Sequence, residues 1–553
     1  MRQHLALRRI LLQRLFRLQQ TTRPFTSNTA LTPRSSTTRP QLPFLTIPVS
    51  ANRPRGARYF TTEKKRWLRW EGSLFLRYNI SIWGGAACVF AIVFLLNQEA
   101  LEKDFPTPHE WSIRTRMWIR GARSAAVNPH LRNVDWAEVI ISCREALRLL
   151  EDVEGDGKGI RELLDEPLTI EGLGAAGKDV SAKSEEWRRG YYEVLMLMAQ
   201  GQEQMDGWVK DRTNNSVFPP EMVIGPSNPH PKPIPHGVDK APKEEDCEVA
   251  FEPAENTYLR ILTTKGFTNR QKMDAALVYA SFLDFKSMPD AAEKMYQWAL
   301  ALATETASAS LVDGRTYTIN DKTAPPSENV LTVLTSIATH KARSGDVSAA
   351  LPIFISVLRA RRALPTTPLP GQERPQEVPT SLWQRVWNAA AAPKYPPTPD
   401  DGSRPPWRHS KELCEEASLN LYIGEILFST KDAKANREEG LAWMRDAVDL
   451  AGEQLRKVGT VGGDREARQT CRECLGVGLE NWSAMVAKLA KEEEAKKNAA
   501  PTKSTFGFWS EAKTVDGRWA AEQDVVKERI RRTRELLVNV EPPAAGLASL
   551  LKA

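Results

Sequence analysis

Residues 276–299, ALVYASFLDFKSMPDAAEKMYQWA, hold two apolar stripes at helical spacing with a turn between them. Ala276, Tyr279, Ala280 and Leu283 recur at i, i+3, i+4 and i+7; after Pro289-Asp290, Ala292, Tyr296 and Ala299 do much the same. That period places each set on one side of a helix, and proline suits the first turn of the second one. Small residues on the facing sides let two antiparallel helices come close, while the aromatic at 296 fills the space toward whatever packs next. The stretch predicts a helical hairpin.

The pattern returns twice. Leu334, Ile337 and Ala338 precede Gly345-Asp346, and Ala350, Phe354 and Val357 follow; Gly-Asp suits a tight turn between helices. A looser copy has Asn420, Ile423, Gly424 and Leu427, then Gly440, Met444 and Ala447. Gly424 to Gly440 is 16 residues against 12 from Ala280 to Ala292, which predicts a turn about four residues longer. Weaker echoes lie at Trp187–Met198 and Leu475–Leu479.

In these residue types the chain resembles the tetratricopeptide repeat, a helix–turn–helix unit with small and aromatic residues in the same places. It departs from the roughly 34-residue period of that repeat: Ala292 to Ala350 is 58 residues and Ala350 to Gly440 is 90. Insertions must interrupt the array, and a generic helical bundle is the competing architecture. The resemblance implies a superhelix whose concave face takes extended peptides or partner helices. Its groove would be lined by Asp274, Leu277, Ser281 and Asp284 in the best copy, and by Thr332, Thr335, Thr339 and Ala342 in the next. The Lys, Asn and Arg with which the chaperone-binding branch of the family clamps a terminal carboxylate are missing there. An apolar or mixed ligand surface is expected instead.

Outward from this block, helical periodicity predicts helices over 111–124, 133–152, 183–208, 255–265, 271–286, 289–305, 327–343, 346–362, 410–430, 436–457, 464–496 and 520–538. Almost no stretch alternates apolar and polar residues, so the expected class is all-α, a tetratricopeptide-like superhelix behind one transmembrane helix. Two proline-rich insertions, 215–245 and 364–409, exclude regular helix and are expected to run extended over the surface or to stay mobile. They divide the body into a membrane-proximal helical region (97–214), the repeats (246–363) and a block of further repeats with a C-terminal helix (410–553).

Toward the N-terminus stands Ile80–Leu96, ISIWGGAACVFAIVFLL, without a charge and near the lower length limit for a bilayer-spanning helix. Residues 1–62 hold eleven arginines and no Lys, Asp or Glu, so the net charge of +7 leaves −4 for the rest. With Leu5, Leu11, Leu12, Leu15 and Leu18 interleaved among the arginines, residues 1–60 read as a mitochondrial presequence, with Arg58-Tyr59-Phe60 before Thr61 as its cleavage site. The 61–79 flank carries Lys64, Lys65, Arg66, Arg69 and Arg77, whereas Glu99, Glu102 and Asp104 follow the span. The positive-inside rule then predicts an inner-membrane protein with its N-terminus in the matrix and its body in the intermembrane space.

Nothing in the sequence signals chemistry. Seven histidines are scattered without metal-ligand spacing, and Cys471-x-x-Cys474 lacks a second pair, so it is read as structural. Residues 172–178, GLGAAGK, match Walker A spacing, but Asp179 stands where the magnesium-binding hydroxyl is needed. No cofactor, no small-molecule substrate and, without a basic patch in the body, no nucleic acid is expected. The chain is read as not an enzyme.

Presequence, inner-membrane anchor and tetratricopeptide-like pairs together resemble a fungal family, the tetratricopeptide-containing adaptor subunits of the mitochondrial i-AAA protease supercomplex. That resemblance implies a non-enzymatic adaptor whose groove binds unfolded or membrane-protein substrates and whose membrane-proximal part binds the protease. The rival expectations are an inner-membrane assembly or stability factor for a respiratory complex, and an enzyme with a helical body.

Overall fold

The computed structural model describes residues 62–127, 134–163, 177–214, 216–234, 240–305, 311–320, 324–368, 395–430, 434–458, 465–499 and 517–540. The expected presequence with its expected cleavage site, residues 172–176 and the middle of the second insertion lie outside them. The protein is mostly helical with few strands. In chain order the described helices are α1 (Thr62–Asp104), α2 (Ile113–Val127), α3 (Trp136–Leu150), α4 (Glu185–Gln204), α5 (Ala254–Thr263) and α6 (Asn269–Phe285). Then come α7 (Pro289–Thr304), α8 (Glu328–Arg343), α9 (Val347–Arg362), α10 (Ser410–Ser429), α11 (Lys434–Val458), α12 (Arg465–Ala499) and α13 (Arg518–Val540). Each helix predicted beyond the membrane span is present, its ends displaced by at most four residues.

Two small antiparallel sheets correct the all-α expectation. β1 (Arg161–Glu162) pairs with β2 (Lys178–Asp179), and β3 (Val209–Asp211) is flanked by β4 (Ser216–Phe218) and β5 (Cys247–Val249). Strands of two or three residues carry no readable alternation. The insertion 215–245 is therefore not a bare loop: the chain leaves through β4 and returns to β5, both on β3.

The chain divides into two compact units, residues 1–88 and 89–553. Among the described residues the first holds only the exposed N-terminal part of α1. α1 is the one described helix long and apolar enough to cross a membrane, and its apolar stretch is fully exposed. Its helicity reaches back through the basic flank, where Lys64, Lys65 and Arg66 were expected only to precede a span.

In the second unit each helix packs mainly on its neighbours in sequence. The hairpins form as their residues predict. Ala280 and Ala292, and Ala338 and Ala350, are fully buried. Tyr296 meets the ring of His340 on α8 (5.0 Å), and Phe354 stacks on Tyr422 of α10 (5.2 Å), so each aromatic bridges to the following hairpin. The α8–α9 turn uses Gly345 at φ 89, followed by Asp346, whose carboxylate accepts from the Ala349 amide (3.2 Å). In the third hairpin the small positions are glycines. A Cβ on Gly424 would lie 2.9 Å from the Gly440 carbonyl oxygen, and one on Gly440 2.7 Å from that of Gly424. Only residues 430–433 separate α10 from α11, against 286–288 and 344–346 elsewhere, so this turn is one residue longer and not four. The other three extra residues lengthen the start of α11.

Two apolar cores result. One runs from Trp111 through α2–α9 to Leu419, Ile423 and Ile426 of α10. The other joins α10–α13 around Leu421, Met444, Leu475 and Val486. α10 is the shared wall. Cys471, of the Cys471-x-x-Cys474 read as structural, forms a disulfide with Cys414, tying α12 to α10. Burial pushes the Cys474 thiol up to about 11, which leaves it inert.

Candidate functional site

α6 and α8, the first helices of two consecutive hairpins, lie side by side and point the same way. At their N-terminal ends Arg270 Nη1 donates to Asn329 Oδ1 (2.6 Å), and at their C-terminal ends Asp284 pairs with His340 Nδ1 (2.8 Å). Both rows of predicted groove residues therefore sit on adjacent helices in register.

The individual side chains fare differently. Ser281 is exposed, and Leu277 is half-buried against the main core. Thr332, Thr335 and Thr339 are half-buried along α8, each donating its hydroxyl to the carbonyl oxygen four residues back (2.9, 2.8 and 2.9 Å). Their donors are spent locally and their methyl groups and acceptor lone pairs remain, which is a mixed, weakly polar surface. Asp274 is held by Arg270 Nε (3.2 Å); burial pushes its carboxyl above the ordinary range although the guanidinium pulls the other way. Asp284 does not face a groove as a ligand position. It accepts from the Tyr296 hydroxyl (3.1 Å) as well as facing His340, which makes it a buried tie between α6, α7 and α8. The 3.6-residue period aligned it with Leu277 and Ser281, but α8 closes over the last turn of α6.

A feature that the sequence did not disclose crosses these helix ends. Residues 395–404, the close of the second insertion, run extended over the N-terminal parts of α4 and α8. Arg189 of α4, 7% exposed, donates to the carbonyl oxygens of Pro397 (2.9 Å) and Pro396 (2.5 Å) and lies 4.3 Å over the Tyr395 ring. Thr398 donates to Glu185 (3.2 Å). The amides of Glu328 and Asn329 donate to the carbonyls of Arg404 and Gly402 (3.2 Å each), and Asn329 Nδ2 donates to that of Asp401 (2.9 Å). Exposed N–H groups at a helix start are thus capped by a passing main chain. Glu328 anchors the same corner. Burial would push its carboxyl up, but Lys411 (3.1 Å), Arg270 (3.8 Å) and Arg361 outweigh that and hold it below the usual range.

Gly402 is required where it stands. Its φ is +68, and a Cβ there would lie 2.3 Å from both Arg270 Nη1 and Asn329 Oδ1. Gly402→Val is expected to cost about 1–2 kcal/mol from the left-handed backbone alone and to lift the strap. Hydrogen exchange at the Glu328 and Asn329 amides should then accelerate; unchanged protection there would count against the strap as their cap. Asp401-Gly402-Ser403 was a readable turn signal, but nothing in the sequence marked Arg189 as its clamp.

Among the described residues, no group of three or more His, Cys, Asp or Glu is disposed to hold a metal ion. Lys178 of the Walker-like stretch pairs with Glu151 (2.9 Å). Compared with protein-family models, curated proteins and solved structures, the chain matches none.

Proposed function

We propose that this protein is a non-enzymatic adaptor of the mitochondrial inner membrane that binds unfolded or membrane-protein segments and assists their degradation by the i-AAA protease. In this reading the α6–α9 hairpins belong to a tetratricopeptide-like superhelix. α1 is the single span, with the N-terminus in the matrix and the helical body in the intermembrane space. The observation that carries the reading is the strap: the N-terminal parts of α4 and α8 already hold an extended, proline-containing chain by its backbone carbonyls. A surface that recognises carbonyls and a clamp residue rather than a fixed side-chain code suits segments of varied sequence. The Cys414–Cys471 bridge supports a body outside a reducing compartment.

The test is to solubilise membranes in mild detergent, purify the tagged full chain and identify what accompanies it. Enrichment of the i-AAA protease together with unfolded clients is expected, and Ser281→Arg with Thr335→Arg should lose the clients while keeping the protease. Respiratory-complex subunits in place of the protease would replace this reading with that of an assembly factor.

A further inference from the structure

α2 holds an anomaly for a helix of a water-soluble body. It contains four arginines and no acidic residue, and the side turned away from its neighbours carries Ile113 (73% exposed) and Trp118 (42% exposed), with Val127 exposed at its end. Arg114 and Gly121 are exposed between them, and Met117 is half-buried. Ile113 and Met117, four residues apart, share one side of the helix, and Trp118 stands at the other rim of the outward arc, about 140° round from Ile113.

The position of this face is fixed. Glu102, buried near the end of α1, accepts from Thr107 and pairs with Arg116 (2.9 Å) and Arg120 (2.5 Å) of α2. Arg120 also donates to the Gln98 side chain (3.0 Å) and main chain (3.3 Å). α2 is thereby clamped beside residues 98–102 of α1, two to six residues beyond Leu96, the last residue of the apolar stretch. At 1.5 Å per residue that is roughly 3–9 Å past the hydrocarbon edge, the depth of the headgroup layer. Tryptophan prefers that depth, and arginine finds phosphates there.

We infer that α2 lies in the plane of the membrane surface, with Ile113, Met117 and Trp118 inserted at the level of the lipid headgroups and Arg114 beside their phosphates. The partner is the bilayer that α1 crosses, so the inference rests on reading α1 as a span. It makes the body a two-point attachment: a span and an interfacial helix joined by the Glu102 clamp.

The test uses the full chain in the membranes of the cells that express it, with a photoreactive benzoylphenylalanine in place of Trp118 or, separately, of Phe90 within the span. After irradiation, adducts are identified by mass spectrometry. Phospholipid adducts from both positions are expected. Lipid from position 90 but only protein, or nothing, from position 118 would overturn the in-plane helix and leave the span standing; a protein adduct would show a protein partner on that face. No lipid from position 90 would remove the span itself, and the inference with it.

Discussion

Reducing the Cys414–Cys471 bond is expected to destabilise the α10–α13 layer by about 4 kcal/mol, the chain-entropy value for a loop of this length. The two cysteines are separated by 57 residues, enclosing most of α10, all of α11 and the start of α12. Opening the bond frees that loop in the unfolded chain while the folded packing changes little. Denaturant unfolding of the full chain in detergent, with and without reductant, measures it. Cys414→Ser should reproduce the effect of reductant, and Cys474→Ser should not, since that buried thiol bonds to nothing covalently. A midpoint indifferent to reductant would mean that the second core holds its helices without the bridge.

Arg361→Ala is expected to cost about 3–5 kcal/mol, the range for breaking a buried ion pair on one side only. Arg361 of α9 and Glu412 of α10 are 4% and 2% exposed and form a direct ion pair. They join the helices on either side of the second insertion, where Glu416 also receives Arg362 (2.8 Å) and Arg408 (2.6 Å). Burial already pushes the Glu412 carboxyl above its ordinary range, with Arg361 opposing. Without Arg361 only His409 opposes that push. A folded carboxyl raised above its unfolded value favours the folded state at low pH and loses that advantage as pH rises. The variant should therefore be hurt more at about pH 7 than at about pH 5. Replacing both partners, as Arg361→Met with Glu412→Leu, should recover most of the loss. A single variant with unchanged stability at both pH values would refute the pair as the junction.

The hairpins were legible because their signal is local. Ala280 against Ala292 and Gly424 against Gly440 are small because two backbones touch, and that demand writes itself at helical spacing. The aromatics at 296 and 354 were legible as bridges for the same reason. What escaped were contacts between distant residues. Cys414 and Cys471 stand on helices that only packing brings together, so nothing in their spacing marked the bridge. Asp284 fitted the groove row by period and was claimed by His340, 56 residues on. Arg189 meets Pro396 across 207 residues, and no periodicity could connect an arginine in a helix to a proline in an insertion.

The strap has a thermodynamic consequence. Tethered in the chain ahead of α10, residues 395–404 meet α4 and α8 as an intramolecular ligand. Tethers of this kind set effective concentrations of order millimolar. Its few hydrogen bonds and one cation–π contact would be too weak to hold a free peptide, yet they suffice for a segment that cannot diffuse away. Any peptide arriving from solution at the same helix ends meets a competitor already present at that concentration. Its apparent affinity is divided by one plus the strap's bound-to-free ratio, and its own contacts must exceed what the chain supplies to itself.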